Sequence, residues 1–394
     1  MELYIHIPFC KKKCSYCDFA SFPDQEEKME AYAEALISEA EQQAPFCTED
    51  IQTVYIGGGT PSLLPPKLLD HLIQRLRCVL PLQSSGEFTI EANPGTLTEH
   101  WLQTALRQGM NRLSLGMQAA QSGLLTVLGR IHDYAAVVDS VSLARRCGVA
   151  NLNLDLIFGI PTQTIADWDD TLRNVISLSP EHISAYGLIP EPGTPLTEQL
   201  NHGLIQLPDP EDERTMYDRA ITILGGAGYQ QYEISNFSKK GYECRHNIGY
   251  WTRIPYLGLG VSAASLLRRP DHAMLSEMFS AHPDSSEFRA VNPASINEYL
   301  EMIQSRNWTL RACSVIPPEE ARFETMMLGL RMTEGVQEET FIKQHHLSIE
   351  QAFGEHLSPS VQKGLLVREN STWRLTRLGM DFQNQVLVEL LPDE

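Results

Sequence analysis

The chain has 394 residues, 42% of them apolar, and carries 31 Lys and Arg against 50 Asp and Glu, a formal net charge of −19. At roughly 150 residues per domain there is room for two or three domains. So acidic a chain repels nucleic-acid phosphates unless it hides a basic groove, and none is legible.

No run approaches the 18 apolar residues of a membrane span. Met1-Glu2 leads straight into Leu3-Tyr4-Ile5-His6-Ile7 without a charged and apolar leader. The expectation is a cytoplasmic protein that is not an integral membrane protein and has no nucleic-acid partner. Short apolar strands then alternate with amphipathic stretches. Strands are predicted at 3–7, 53–57, 87–92, 112–116, 151–157 and 182–188, and helices at 26–44, 65–79, 98–108, 135–147 and 166–177. This is the pattern of βα units around a parallel sheet. Six units are clear. Beyond Pro190 the pattern loosens into a helix near 214–224 and an extended piece near 229–234, so an eight-fold barrel is not completed.

Side chains alternate between strand faces. One face carries Thr89, Glu91 and Asn93, then Arg112, Ser114, Gly116 and Gln118, then Asn151, Asn153 and Asp155. Closed parallel barrels fill the lumen with branched apolar residues. Here the apolar faces, Leu113, Leu115 and Met117, then Leu152, Leu154 and Leu156, belong against helices. The expectation is an open, splayed α/β barrel with a polar lumen that holds a polar ligand.

Near 290–295 the character changes. Helices at 295–304, 317–332, 337–345 and 349–356 precede two short strands, 365–368 and 372–375, joined by Glu369-Asn370-Ser371, and a last helix to about Leu391. The division expected is 1–290, the barrel and its extension, and 291–394, a mainly helical, winged-helix-like domain. The net charge disfavours DNA, so interdomain packing is its expected role. His345-His346 is read as a solvated helix end.

Three of the eight cysteines, Cys10, Cys14 and Cys17, fall within eight residues just after the first strand; Cys47, Cys78, Cys147, Cys244 and Cys313 are scattered. A disulfide framework does not look like that, and such clustering in a long reducing-compartment chain is metal-binding or catalytic. Structural zinc and a closed iron–sulfur cluster both want a fourth ligand, and none is suitably placed. Three thiolates leave one iron open to a small molecule.

The spacing C-x3-C-x2-C, with Tyr16 before the last cysteine, resembles the signature of the radical S-adenosylmethionine (SAM) superfamily. The resemblance implies a partial (β/α)6 barrel and a [4Fe-4S] cluster on Cys10, Cys14 and Cys17. SAM would chelate its open iron and on reduction give a 5′-deoxyadenosyl radical. It also implies SAM contacts at Gly58, Gly59 and Thr60 after the second strand, at Arg130, and at Glu91, Gln118 and Asp155, with Tyr4 and Tyr16 lining the cluster pocket. Glu91, Gln118, Arg130 and Asp155 lie at or just past the ends of later strands, the face where barrel enzymes bind ligands.

The opening Tyr4-Ile5-His6-Ile7-Pro8-Phe9-Cys10, Gly57-Gly58-Gly59-Thr60-Pro61, residues 111–118 and Asp155-Leu156-Ile157-Phe158-Gly159-Ile160-Pro161 together resemble one branch, the oxygen-independent coproporphyrinogen III oxidases (HemN) and the related haem-chaperone family HemW. That oxidase has a further cysteine two residues after the third cluster cysteine, where this chain has Phe19, and a longer stretch before its cysteine loop. His246-Asn247-Ile248-Gly249-Tyr250-Trp251 matches the H-N-x-x-Y-W motif of the chaperones. The resemblance therefore implies haem as a third cofactor, with His246 the candidate contact and Cys244 a runner-up. It also implies a haem-acceptor protein, one of the respiratory chain, as partner. The alternative is radical SAM oxidative decarboxylation of coproporphyrinogen.

Overall fold

A computed structural model describes residues 1–269 and 278–391. The six expected strands form in order: β1 (Glu2–Ile7), β2 (Ile51–Gly58), β3 (Leu82–Ala92), β4 (Arg112–Gln118), β5 (Leu152–Phe158) and β6 (His182–Gly187). Each lies parallel to the next. The connecting helices are α1 (Met29–Gln43), α2 (Pro66–Val79), α3 (Glu99–Arg107), α4 (Ser122–Val127), α5 (Tyr134–Arg146) and α6 (Ile165–Ser177). Their starts are chemically marked: the side chains of Thr98 and Asp133 accept backbone N–H bonds, and Thr164 with Asp167 forms a reciprocal capping box.

The sheet does not close. β6 is followed by α7 (Pro195–Asn201), α8 (Pro210–Gly226) and the short antiparallel pair β7 (Gln230–Gln231) and β8 (Asn236–Ser238). After α9 (Arg245–Trp251) the chain returns to the far edge. There β9 (Tyr256–Leu259) runs parallel to β1, and β10 (Ala264–Arg268), β11 (Glu287–Val291) and β12 (Ala312–Ile316) continue antiparallel. The strand order is β12-β11-β10-β9-β1-β2-β3-β4-β5-β6-β8-β7. A partial six-unit barrel with additions at both edges results.

Alternation produces two chemically distinct faces. Leu113, Leu115, Leu152, Leu154 and Leu156 are fully buried in the core shared with the helices. Thr89, Arg112, Ser114, Asn153 and His182 are buried just as deeply on the lumen side. Register stacks these polar residues in rows: Glu2, Thr53 and Glu87 at the lower end; then Tyr4, Tyr55, Thr89 and Arg112; then Glu91, Ser114, Asn153 and His182.

The first core takes in Ile296, Tyr299, Met302 and Ile303 of α10 (Ile296–Ser305), and the large sheet runs to Ile316. A second core, from Met326 to Leu390, joins α11 (Pro318–Gly329) and α12 (Glu338–His345) to a three-stranded sheet, β13 (Val336–Gln337), β15 (Thr372–Leu375) and β14 (Leu366–Glu369). His345 is not on a solvated helix end: it shares a 2.8 Å hydrogen bond with Thr325 and packs on Phe341 with ring centroids 4.6 Å apart. Among the described residues no helix is long and apolar enough to cross a membrane.

Candidate functional site

The cysteine loop leaves the upper end of β1 and is pinched at its base. Cys10 N–H donates to Phe22 carbonyl at 3.1 Å and Phe22 N–H to Pro8 carbonyl at 2.7 Å. Its far side is tied to later units: Ser15 N–H donates to Leu128 carbonyl at 3.0 Å, Ser15 Oγ to Val127 carbonyl at 2.7 Å, and Leu196 N–H to Ser15 carbonyl at 2.8 Å. Cys10, Cys14 and Cys17 are half-buried, and all eight cysteines are free of disulfides.

A polar chain joins two of the thiols. Cys10 Sγ lies 3.4 Å from Thr60 Oγ1, which accepts from Asn93 Nδ2 at 2.8 Å; Arg130 Nη2 donates to Asn93 Oδ1 at 2.6 Å, and Arg130 Nη1 to Cys14 Sγ at 3.5 Å. Arg130 also donates to Gly116 carbonyl at 3.0 Å. The guanidinium therefore stands beside two thiols and can meet an anionic group there. Burial pushes the Cys10 and Cys17 thiols up, so a metal has to displace their protons on binding.

Two glycines let backbone close in. A Cβ on Gly59 would lie 2.8 Å from Phe9 carbonyl and 3.1 Å from Cys10 Sγ, and one on Gly116 would lie 2.7 Å from Gln118 Nε2 and 3.0 Å from Arg130 Nη2. Gln118 holds a positive φ of 66° at the end of β4, where the register with β5 slips. That turn lays its amide over Gly116.

Glu91 accepts from Tyr55 Oη at 2.8 Å and from Gly58 N–H at 3.0 Å. Burial, reinforced by the neighbouring Asp155 charge, pushes its carboxyl up to about 7. Asp155 accepts from Ser114 Oγ at 2.9 Å and Asn153 Nδ2 at 2.8 Å. Tyr16 is half-buried near Arg130, Cys14 and Asp155, which bear on its hydroxyl, and burial holds that hydroxyl above its ordinary value. Tyr4 reaches the loop indirectly: its hydroxyl shares a 3.0 Å hydrogen bond with His6 Nδ1, and His6 Nε2 meets Ala20 carbonyl at 2.8 Å.

The structure thus brings Cys10, Cys14, Cys17, Gly58, Gly59, Thr60, Glu91, Gln118, Arg130 and Asp155 to the upper mouth, with Tyr16 beside them. Asn93 and His6 complete the set, and the sequence reading assigned them no role. Asn93 shows a signal in retrospect, since it continues the polar face of Thr89 and Glu91.

His246 lies elsewhere. It is 1% exposed, one ring nitrogen meets Thr53 Oγ1 at 2.8 Å and the other Tyr250 Oη at 3.1 Å, and its ring stacks on Tyr55 at 5.1 Å. Burial, with help from Arg112, lowers its pKa to about 3, so it is a neutral imidazole with both nitrogens engaged. Thr53 sits on the lowest polar row, about 16 Å along β2 from Gly58 at roughly 3.3 Å per residue. Cys244 is fully buried and its thiol donates to Glu87 at 3.4 Å.

Among the described residues no three His, Cys, Asp or Glu side chains gather about a point that one metal ion would fill. Thiolates serving a multi-iron cluster each bind a different iron and need not do so. The donor set, three free thiols with a guanidinium and a bare-backbone cradle, fits an iron–sulfur centre with one side open.

Residues 4–175 match the Radical SAM superfamily and residues 316–382 the HemN C-terminal domain. A "Heme chaperone HemW" from Bacillus subtilis (strain 168) is 35% identical over 97% of both chains. One from Escherichia coli (strain K12) is 32% identical over 98% of this chain and 97% of that one. The solved radical SAM coproporphyrinogen III oxidase (HemN) of Escherichia coli superposes with a TM-score of 0.81 at 23% identity, over 99% of this chain and 89% of that one, which establishes the shared fold.

Proposed function

The chain belongs to the HemW family of haem chaperones, and from that premise we propose that it binds haem, carries a SAM-chelated [4Fe-4S] cluster, and hands haem to an acceptor protein in the cytoplasm. Eight free thiols suit a reducing compartment.

Cys10, Cys14 and Cys17 would hold the cluster, which when bound supplies an open iron for the amine and carboxylate of SAM and an electron for its sulfonium. The chain's own residues do the positioning. Arg130, fixed by Asn93 and Gly116, offers its charge to the SAM carboxylate. Gly58, Gly59 and Thr60 bring backbone close to the amine. Glu91, Gln118 and Asp155 present acceptors and an amide to the ribose and adenine side. Tyr16 covers the loop from solvent, and Tyr4 steadies it through His6. We keep the expected two-unit division, with the barrel bearing this site and the C-terminal unit packed against it.

The observation that separates chaperone from oxidase is Phe19. It occupies the position where the oxidase has its further cysteine and stands 58% exposed, and a phenyl ring cannot take up an electron or a proton as a thiol does. Purified, cluster-reconstituted protein is offered hemin in one experiment and coproporphyrinogen III with SAM and a reductant in another. Stable hemin uptake without protoporphyrinogen is expected; multiple turnovers to protoporphyrinogen would sink the chaperone reading.

A further inference from the structure

Beside the cysteine loop lies a cavity of about 610 Å³, within the size range of small-molecule and cofactor pockets. Phe19 and Ala20 of the loop form its lip, Tyr250 of α9 and Tyr256 of β9 one wall, and Leu266 of β10 with Met327 and Leu328 of α11 the other. Tyr250 and Tyr256 meet edge to face with centroids 4.7 Å apart. Of the larger cavities, that of about 930 Å³ is lined mainly by Glu, Gln, Asn, Arg and Ser, that of about 950 Å³ has no Phe, Tyr or Trp to lie against a flat ring, and that of about 770 Å³ has no Arg or Lys to meet a carboxylate.

The cavity also shows where a negative group belongs. Arg253 is 6% exposed and lines it, as well as the 950 Å³ cavity. Its Nε donates to Glu324 at 2.9 Å and its Nη1 to Glu287 at 2.5 Å, while Nη2 is buried with no partner in the protein. A buried N–H without an acceptor is costly, so an orphan of this kind points to a ligand acceptor. Arg289, half-buried, lies on the same rim and donates to Glu324 at 2.8 Å. The carboxylates facing the cavity are Asp18 and Glu324; Glu324 is already shared between the two arginines.

We propose that this cavity, between the cysteine loop, α9 and α11, seats the tetrapyrrole, with Arg253 and Arg289 receiving its carboxylates, and that His246 is a positioning residue acting through Tyr250. The assignment rests on the haem-binding reading above and adds to it where the ligand lies. It reconciles the family motif with the buried imidazole: His246 holds the Tyr250 hydroxyl, and Tyr250 is the wall.

The test is a hemin titration of the full chain followed by Soret absorbance. Met327→Trp fills the cavity and should raise the hemin Kd about tenfold or more, while Met327→Ala should bind as wild type does. Arg289→Glu should also weaken hemin about tenfold, yet leave the dimethyl ester of hemin unaffected, with urea unfolding run beside it because the change removes a partner of Glu324. His246→Ala should weaken hemin several-fold without moving the Soret maximum, and His246→Gln, which can still bond Tyr250, should restore affinity. Wild-type affinity in both Met327→Trp and Arg289→Glu would overturn the assignment, as would a Soret shift in His246→Ala that His246→Gln does not reverse. If wild-type protein takes up no hemin, the chaperone reading itself fails and the cavity assignment with it.

Discussion

Glu91 links the upper mouth to pH. Burial and the Asp155 charge raise its carboxyl to about 7, while its contacts with Tyr55, Gly58 and Arg112 pull the other way. Since the folded value lies above the unfolded one, its contribution to stability is full below the unfolded value of 4.5 and is lost as pH rises through about 7. Ligand binding should run oppositely, because the ionised carboxylate is the stronger acceptor for the donors of SAM. SAM affinity, read by calorimetry, should climb between pH 6 and 8 as thermal stability falls, and both slopes should flatten in Glu91→Gln; unchanged slopes would remove Glu91 from the site. The cysteines make a simpler prediction. Reconstituted protein should hold about four iron and four sulfide per chain, and Cys14→Ser should lose most of both; zinc without sulfide would undo the assignment. Glu91 and Asp155 were legible in the sequence because alternation puts them on polar strand faces, the thiols because of their spacing, and Arg130 only through the family resemblance. The engagement of His246 was not, because its partner Thr53 lies 193 residues away, and nothing local says that both nitrogens are taken.

At the scale of elements, α9 closes the lower end of the lumen. Glu87 receives the backbone N–H groups of Arg245 and His246 at 2.9 and 3.1 Å, satisfying its first turn. Gly249 packs so tightly on β1 that an added Cβ would fall 1.8 Å from Glu2 Oε1. Gly249→Val should therefore push α9 off the sheet and destabilise the protein by roughly 1–3 kcal/mol, the usual cost of overpacking, measured by urea unfolding. Wild-type stability in that variant would contradict the plug. The six βα units were readable because polar and apolar positions alternate cleanly for several residues in each strand. β9 to β12 escaped notice: strands of four or five residues carry little periodicity, and β9 finds its place only through β1, far off in sequence.

For the whole molecule, a net charge of −19 disfavours an anionic porphyrin as a long-range guest, so its capture depends on local cations. Arg253 and Arg289 supply them where the barrel edge meets the second unit, on the side of the cysteine loop marked by Phe19. A ligand seated there touches both cores. That polar and apolar strand faces make an open barrel with a polar lumen was visible in the sequence; the cavity was not, since it depends on how α11 meets β9 and β10. Haem carriage for delivery can be followed by mixing haem-loaded protein with an apo-haemoprotein and recording the Soret bands. The acceptor should fill at a rate that rises with its own concentration and exceeds spontaneous haem loss. Transfer at the spontaneous rate, whatever the acceptor concentration, would contradict it.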